Sequence, residues 1–426
     1  MKRLKTKLFA ALLALLMVGA LSGIAGAVTL RVAHWWGDEA FQLVWDRFQE
    51  LNPDIELKVE SRPWSGYKDK LLVEMASGTA CDVYLLSSSW FGVLFRMGVF
   101  EPLDSYAERD NLDLSKFSVD PAQEHGYRGR FYGLAQWIPD NPNFWVNKEL
   151  TNEAGIALPE WGTDAFDTWR WDDLLTAAQK TTKRDASGQI VQWGLGPIAN
   201  PAWCTIFAWQ NGAEIFDDVT ALDETRSTLN TPENIEAYQF LVDLVRKHEV
   251  MMTPTQAALM AEGAYLSGKV AFTLEWNIYG NMKKADFDWT LIPVPWQTRK
   301  VTKYGGNSWT ISAGSQNKDA AWRLVKWLTT DIEAQSLMAQ YGGLSSYSPD
   351  KQVEFAQEEM QKYLFNLLVA RTKDVTMRPL WFGSKNPDRV QEIIQNAIDL
   401  MFLEGLDVAT ALRDAENEIN SVVYGR

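Results

Sequence analysis

The feature of the sequence that most constrains the fold is a succession of short strands and helices near the start of the chain. Apolar residues alternate with polar ones over residues 28–34, and an apolar stripe with helical spacing follows over residues 41–51. The succession repeats over residues 55–59 and 82–87, which flank a second helix that stops at Gly78. Strands that alternate with helices build a mainly parallel sheet with helices on both faces. The sequence therefore predicts an α/β fold.

Tryptophan and small polar residues follow each of these predicted strands. In a parallel sheet the carboxyl ends of the strands meet at one edge, and ligands bind there. The residues that we expect at this edge, and take as candidate ligand contacts, are Trp35, Trp36 and Asp38 after the first strand, Trp64 after the second, and Ser87, Ser89 and Trp90 at the end of the third. Each strand end thus presents an indole beside polar groups.

The strand and helix pattern restarts near residue 140 with longer helices. One of these helices opens at Thr231-Pro232-Glu233, and a buried strand pattern covers residues 269–274. The 399 residues from position 28 onward exceed what one hydrophobic core usually supports. We therefore expect two lobes.

The first 27 residues have the composition of a secretory signal peptide. Four basic residues precede an apolar run over residues 8–21 and a small-residue exit at Ala25-Gly26-Ala27. The alternative is a membrane anchor, but the apolar run has 14 residues, fewer than the roughly 20 that a spanning helix needs. We predict cleavage after Ala27. No cysteine lies near this exit, so we expect no lipid anchor and a mature protein that is free in the periplasm.

The net charge disfavours two classes of partner. Removal of residues 1–27 takes away four basic residues and no acidic one, which changes the formal net charge from −14 to −18. A protein this acidic repels phosphate backbones and anionic lipid headgroups. We therefore expect neither nucleic acid nor a membrane surface as the ligand.

The sequence offers little for a metal centre or for nucleophilic catalysis. The three histidines, His34, His125 and His248, do not have the spacing of a ligand pair, and there is no Gly-x-Ser-x-Gly elbow. Cys81 and Cys204 leave two possibilities open, one bridge or two buried thiols. We favour two thiols, because a chain this long needs no covalent staple. We expect no cofactor and no metal.

Twenty tryptophans point to a ligand with flat apolar faces. A pyranose has two C–H faces and a rim of hydroxyls, so a sugar receptor combines aromatic platforms with carboxylates or amides. Trp35, Trp36 and Trp64 are the platforms that we expect in the first lobe, although strand alternation turns one of the first two inward. Asp38 either accepts from a sugar hydroxyl or caps the helix that follows it.

Six segments carry a family resemblance through their order and spacing. They are VTLRVAHWWGDEAFQLVWDRFQELNPDIELKVE, SGTACDVYLLSSSWFGVLFRMGVFEPL, GRFYGL, GKVAFTLEW, LIPVPWQTRKVTKYGGNSWTISAGSQNKDAAWRLVKWLT and GLDVATALRDAENEIN. In these segments the chain resembles the extracellular solute-binding proteins of ABC sugar importers, the family that includes maltose-binding protein. The resemblance implies a monomeric, non-enzymatic protein that captures a carbohydrate, of oligosaccharide size, and delivers it to a membrane permease.

The resemblance also implies the type II periplasmic-binding-protein fold. In that fold two lobes, each a central sheet flanked by helices, hold the ligand in the cleft between them. Carried onto this chain, lobe one covers residues 28–138 and 293–342, and lobe two covers residues 139–292 and 343–426. The chain would cross between the lobes at these boundaries, and the crossings would act as hinges.

The remaining candidate ligand contacts come from the resemblance. Asn200 and Trp203 lie in a segment that matches a loop with a stacking aromatic in relatives, and Trp276 after Glu275 matches another. Core packing is the alternative role for both tryptophans. The other candidates are Gly306, Asn307 and Trp309 in lobe one, Trp137 and Asn141 at the first crossing, and Trp381 at the rim.

The resemblance does not identify the sugar, and two other functions stay open. Trp35, Trp36 and Trp64 stand where maltose-type proteins have charged and amide groups. A secreted glycosidase would need two carboxylates about 5 to 10 Å apart, and with 55 acidic residues the sequence alone does not exclude such a pair. The same fold with a phosphorylated polyol or a peptide as ligand would favour arginines at the strand ends, where tryptophans outnumber them here.

Overall fold

The computed structural model describes most of the chain that follows the predicted signal peptide. The described residues are 27–36, 38–87, 90–136, 142–159, 168–218, 225–276, 279–304, 306–339, 345–348, 376–379 and 386–425. Residues 1–26, which hold most of the predicted signal peptide, lie outside this set. Within the described ranges no helix is both long enough and apolar enough to span a membrane.

Strands and helices alternate along the described chain. The strands, in chain order, are β1 Val28–His34, β2 Ile55–Ser61, β3 Val83–Ser87, β4 Gly126–Tyr127, β5 Arg130–Phe131, β6 Gly133–Ala135, β7 Asn143–Asn147, β8 Lys183–Arg184, β9 Ile190–Leu195, β10 Val270–Glu275, β11 Trp289–Ile292, β12 Val301–Tyr304, β13 Asn307–Ile311 and β14 Thr376–Pro379. The α-helices are α1 Asp38–Leu51, α2 Tyr67–Ser77, α3 Phe91–Arg96, α4 Asp104–Arg109, α5 Pro121–Glu124, α6 Lys148–Glu153, α7 Trp171–Thr181, α8 Pro201–Gln210, α9 Pro232–Arg246, α10 Pro254–Ala258, α11 Gly263–Leu266, α12 Tyr279–Met282, α13 Lys318–Thr330, α14 Ile332–Ala339, α15 Pro387–Asp399 and α16 Val408–Glu418. A 3₁₀ turn covers Leu114–Lys116, and π-helical turns cover Leu400–Glu404 and Ile419–Val423.

Lobe one is built on a sheet with the strand order β2-β1-β3-β13-β6. β1 runs parallel to β2 and β3, and β13 runs antiparallel to β3 and β6. Successive side chains of a strand point to opposite faces. Val83 and Leu85 of β3 therefore join one core with α1 and α13, whereas Tyr84 and Leu86 join a second core with α2 and α3.

Lobe two is built on a second sheet with the strand order β11-β7-β10-β9-β8. β10 runs antiparallel to β7 and parallel to β9. Its core includes buried residues of α7, α8, α9, α15 and α16. In α8 every residue from Trp203 to Gln210 is buried, because this helix is apolar on all sides and lies within the core.

The α/β class predicted from the alternation is confirmed. The strands predicted over residues 28–34, 55–59, 82–87 and 269–274 correspond to β1, β2, β3 and β10, with bounds that differ by at most two residues. Two sheets with separate cores also agree with the expectation of two lobes.

The return of the chain to lobe one lies later than the predicted boundary at residue 293. Arg299 donates to the carbonyl oxygens of Trp209 (2.6 Å) and Ala213 (2.7 Å) around the end of α8, and Val301 is buried in the lobe-two core. The chain joins the sheet of lobe one only at β13. The sequence predicts the crossing in the Pro-rich segment before Arg299, but a guanidinium that binds carbonyls at a helix end holds this segment on lobe two.

The last predicted boundary, which gives residues 343–426 to lobe two, also needs correction. The backbone N–H of Ser118 in lobe one donates to the carbonyl of Ser346 at 2.7 Å. The rings of Phe117 and Tyr347 meet with their centroids 5.0 Å apart. This short segment, residues 345–348, therefore packs on lobe one. The first predicted crossing falls mostly outside the described residues and stays a prediction.

Both cysteines are free, buried thiols, as the sequence favoured. Cys81 belongs to a core of lobe one and Cys204 to the core of lobe two. Burial raises the pKa of both thiols, and it raises that of Cys81 to about 11. Both side chains therefore stay protonated at neutral pH and act as small apolar residues.

The buried His125 makes the stability of lobe one dependent on pH. Its ring lies edge-on to Phe91 with centroids 4.7 Å apart, and burial lowers its pKa to about 3. An unfolded histidine titrates near pH ~6.5, so the stabilising contribution is complete above that pH and is lost as the pH falls towards 3. We expect His125→Gln to lose less stability than the wild type between about pH 7 and 4, where each pH unit costs the wild type up to about 1.4 kcal/mol.

Urea unfolding of both proteins at the two pH values measures this difference. His248→Gln is the control, because His248 lies in a partly exposed turn of lobe two. Equal losses of stability in the wild type and in His125→Gln would contradict the expectation.

Candidate functional site

Five predicted residues lie at one edge of the lobe-one sheet. The carboxyl ends of β1, β2, β3 and β6 and the start of the antiparallel β13 meet there. Ser87 at the end of β3 is paired with Asn307 at the start of β13. Trp35 and Trp36 directly follow β1, and Trp64 lies in the loop between β2 and α2. The strand directions therefore bring together residues from four separate parts of the sequence.

Three indoles form a cluster at this edge. The ring of Trp64 stacks on that of Trp90, with centroids 4.7 Å apart and planes 24° apart. Trp35 stands edge-on to both, at 5.0 Å from Trp64 and 5.6 Å from Trp90. Trp90 is only 7% exposed, whereas Trp64 is 52% exposed. The cluster thus presents one indole to solvent and supports it with two others.

Trp36 and Trp309 are placed differently from this cluster. Trp36 is partly buried against the core that holds α1, with its ring centroid 6.4 Å from that of Phe41. Trp35 also borders this core, but of the two residues Trp35 is the one that joins the three-indole cluster. Trp309 is fully buried and stands edge-on to Trp45 at 5.8 Å. Trp309 is therefore a core residue of lobe one, and we do not carry it into the proposed site.

Lobe two has a similar pair of tryptophans at its own sheet edge. β9, β10 and β11 end at this edge, and the antiparallel β7 starts there. The rings of Trp203 on α8 and Trp276 after β10 meet with centroids 4.2 Å apart. Trp203 is 3% exposed and Trp276 is partly buried. In each lobe, then, a buried indole supports a more exposed one.

Asn200 and Glu275 are the polar candidates at the lobe-two edge. The Asn200 side-chain oxygen accepts from the backbone N–H of Trp203 at 3.0 Å and so caps α8. Glu275 ends β10 opposite Asn143 of β7. Burial raises the pKa of the Glu275 carboxyl, and a hydrogen bond from the backbone N–H of Trp276 partly offsets this. A carboxylate with little water around it accepts strongly from a hydroxyl that a ligand brings.

Two aromatic residues that the sequence did not single out join these clusters. The Tyr67 ring lies edge-on to Trp35 at 5.1 Å and stacks beside Trp90 at 5.8 Å. Trp145 of β7 donates its ring N–H to the carbonyl oxygen of Trp276 at 3.0 Å. The sequence carried a signal for Tyr67, which follows Trp64 within the same turn. The contact between Trp145 and Trp276 depends on the antiparallel pairing of β7 with β10, which the local sequence does not predict.

A short stretch of chain and one ion pair link the two lobes. Gln136 follows β6 at the first edge and Asn143 begins β7 at the second, and the seven steps between them span at most about 25 Å. Lys68 on α2 of lobe one also forms an ion pair with Asp388 on α15 of lobe two. Both constraints limit how far apart the two sheet edges can lie.

The other candidates stay predictions. Gly306 is buried just before β13. Asp38 begins α1, but its side chain is outside the description. The candidates outside the described residues are Ser89, Trp137, Asn141 and Trp381.

Sequence comparisons find relatives along most of the chain. A family model of bacterial extracellular solute-binding proteins matches residues 35–335. A maltotriose-binding protein of Pyrococcus abyssi is 25% identical over 412 residues, which cover 91% of this chain and 80% of that protein. An arabinooligosaccharide-binding protein of Halalkalibacterium halodurans is 28% identical over 217 residues, which cover 49% of this chain and 43% of that protein.

Solved structures resemble the whole described fold. An ABC substrate-binding protein of Listeria monocytogenes in complex with cycloalternan aligns with a TM-score of 0.79 and 22% identity, over 93% of this chain and 99% of its own. The sugar-binding protein MalE of Xanthomonas citri aligns with a TM-score of 0.76 and 17% identity, over 94% of this chain and 98% of its own. At these identities the likeness establishes the fold, and the predicted two-lobed periplasmic-binding-protein fold is confirmed.

A substitution of Glu275 tests whether its carboxylate stabilises the folded protein or is retained at a cost in stability, as expected of a ligand contact. Because burial raises the pKa of its carboxyl, ionisation opposes folding once the pH exceeds the unfolded pKa of about 4.3. We expect Glu275→Gln to raise the midpoint of thermal unfolding of the ligand-free protein at about pH 8 and to leave it unchanged at about pH 4.

Scanning calorimetry at both pH values measures the two midpoints. Glu56→Gln is the control, because Glu56 lies exposed in β2 of lobe one. A fall in the midpoint of Glu275→Gln at the higher pH would instead assign the carboxylate to the stability of the fold.

Proposed function

The chain belongs to the family of bacterial extracellular solute-binding proteins, and from that premise we propose that it captures an oligosaccharide outside the cytoplasmic membrane and delivers it to the permease of an ABC importer. Members of this family are binding proteins and not enzymes. We extend this property to the present chain. The proposal also includes a periplasmic monomer without a lipid anchor, released by cleavage after Ala27.

The observation that carries the proposal is the exposed indole of Trp64. Trp64 offers one face to solvent while its other face rests on Trp90. An indole held flat in this way binds the C–H face of a pyranose, because both surfaces are apolar and planar. A support of two further indoles keeps the platform in place before the ligand arrives, which reduces the entropy lost on binding.

Lobe two supplies the opposing surface in this proposal. Trp276 packs against the buried Trp203 with the ring planes 46° apart, whereas Trp64 stacks on Trp90 at 24°. Glu275 lies beside Trp276 and accepts from hydroxyls at the rim of the sugar. The sugar docks on lobe one, and lobe two then closes about the chain crossings to trap it between the two platforms.

Two rival functions have less support. Hydrolysis of a glycosidic bond needs a pair of carboxylates, and among the candidates with described side chains Glu275 is the single carboxylate. A phosphorylated ligand needs unpaired cationic groups, but Arg62, the arginine next to Trp64, is engaged by Glu60 and Glu74. Nor do the described ranges gather three His, Cys, Asp or Glu side chains into a set that would hold a metal.

Removal of the exposed platform tests the proposal. We expect Trp64→Ala to weaken oligosaccharide binding by about 10- to 100-fold, which corresponds to about 1.4 to 2.7 kcal/mol of lost stacking. Its thermal stability should change little, because the ring is 52% exposed. Titration calorimetry against malto- and arabino-oligosaccharides measures the affinity, with monosaccharides, polyol phosphates and peptides as comparison ligands.

The matched control is Trp327→Ala. Trp327 is partly buried on α13 of lobe one, where its ring centroid lies 5.3 Å from that of Phe48 on α1. The site assignment fails if Trp327→Ala weakens binding and Trp64→Ala does not. Continuous release of new reducing ends from an oligosaccharide would replace the binding function by hydrolysis.

The ion pair between the lobes gives a second test of closure. Asp388→Asn removes the partner of Lys68, and we expect the affinity for sugar to fall by up to about fivefold at low salt, since an exposed pair contributes about 0 to 1 kcal/mol. The effect should vanish at high salt, where exposed charges are screened.

Asp288→Asn is the control for this test. Asp288 pairs with Lys148 inside lobe two and is 65% exposed, close to the 61% of Asp388. Titration of both variants at low and high salt separates a link between the lobes from a general effect of surface charge. Equal changes in the two variants would contradict the role in closure.

A further inference from the structure

A buried arginine lies two residues before Trp64, the exposed platform. Arg62 follows β2 and is only 5% exposed. Its guanidinium donates to both Glu74 oxygens at 2.9 and 3.0 Å and to Glu60 at 2.6 Å. Its backbone N–H donates to the carbonyl oxygen of His34 at 2.8 Å. A buried charge is tolerated only with such full pairing, because an uncompensated one costs several kcal/mol.

The partners of Arg62 are themselves held by other elements of lobe one. Glu74 lies on α2 and also accepts from the Tyr84 hydroxyl of β3 at 2.7 Å. The Tyr84 hydroxyl accepts in turn from the Cys81 backbone N–H at 2.8 Å. Burial alone would raise the pKa of Glu60, but hydrogen bonds from Arg62 and Arg31 lower it to about 2. The Glu60 carboxylate therefore stays ionised at all physiological pH values.

The loop that carries Trp64 is fixed at both of its ends. Arg62 holds its start, and Tyr67, the first residue of α2, holds its end through a hydrogen bond from its hydroxyl to the Ala33 carbonyl at 2.8 Å. Gly66 turns the chain between them with φ of 78°, a conformation that residues with a Cβ rarely adopt. The Trp64 ring lies between these anchors and is stacked on Trp90.

A buried ion cluster contributes little net stability compared with apolar packing, and its best-supported use is to specify one conformation. Here the cluster lies where a single conformation matters, at the base of the exposed indole. We propose that Arg62 is a positioning residue, whose guanidinium between Glu60 and Glu74 holds the 62–67 loop so that Trp64 stacks on Trp90 and faces the ligand. This inference rests on the proposed function only for its effect on affinity.

The stacking can be measured without any ligand. Two indoles at 4.7 Å and 24° couple their transitions, and the coupling gives a pair of opposite bands in the far-ultraviolet circular dichroism spectrum. Trp64→Phe assigns the bands, since it removes one indole of the pair. Arg62→Lys keeps the charge but loses the planar fork that bridges two carboxylates. We expect Arg62→Lys to weaken the bands and to lower the affinity for oligosaccharide by about 10-fold.

Arg31→Lys is the matched control. Arg31 donates to the same Glu60 at 2.6 Å, but its guanidinium also donates to the Thr79 carbonyl at 2.7 Å, outside the loop that carries Trp64. We expect its bands to match those of the wild type and its affinity to stay within about twofold. Glu60→Gln, which leaves the pairing of Arg62 with Glu74 intact, should fall between the two and keeps the test valid if Arg62→Lys folds poorly.

The outcomes separate this inference from the proposed function. Bands and affinity that are the same in Arg62→Lys and Arg31→Lys would reduce Arg62 to a stability role and overturn the inference. Weakened bands in Arg62→Lys, with no effect of Trp64→Ala on affinity, would retain the positioning role and overturn the proposed site. Weakened bands together with weakened binding support both.

Discussion

The direction of the strands is the constraint on which the candidate site depends. β1, β2 and β3 are parallel, so the residues that follow them meet at one edge although they lie far apart in sequence. β13 enters the same sheet antiparallel and brings Asn307 to Ser87 from a distant part of the chain. The short connection from β6 to β7 then keeps the edges of both sheets close together. Without this arrangement the tryptophans of the two lobes could not contribute to one binding site, as we propose that they do.

Burial divides chemically identical indoles into two kinds. Trp209 and Trp309 are wholly enclosed and fill the cores of their lobes. Trp64 keeps one face open and is supported by Trp90, itself nearly buried. A platform of this type has the rigidity of the core and the accessibility of the surface. An indole therefore needs both an exposed face and a buried support to serve as a binding platform.

The charged side chains next to the lobe-one platform are paired with each other. Arg62 is enclosed by Glu60 and Glu74, so it offers no free cation to an anionic ligand. At the lobe-two edge Glu275 provides an acceptor, and Asn200 uses its oxygen to cap α8. Flat apolar surfaces with hydrogen-bond acceptors and little free positive charge suit a neutral, hydroxyl-rich ligand. The electrostatics and the aromatic geometry therefore favour the same class of ligand.

The sequence by itself determined the α/β class, the main strands and the family, because apolar periodicity is local and the family segments occur in a fixed order. Tertiary structure alone decided where the segments around Arg299 and Tyr347 pack, since both residues are held by residues that lie far away in the chain. It also decided that Trp64 is exposed while Trp309 is buried. The two side chains are chemically identical. Only the packing of distant elements around each indole determines whether a ligand can reach it.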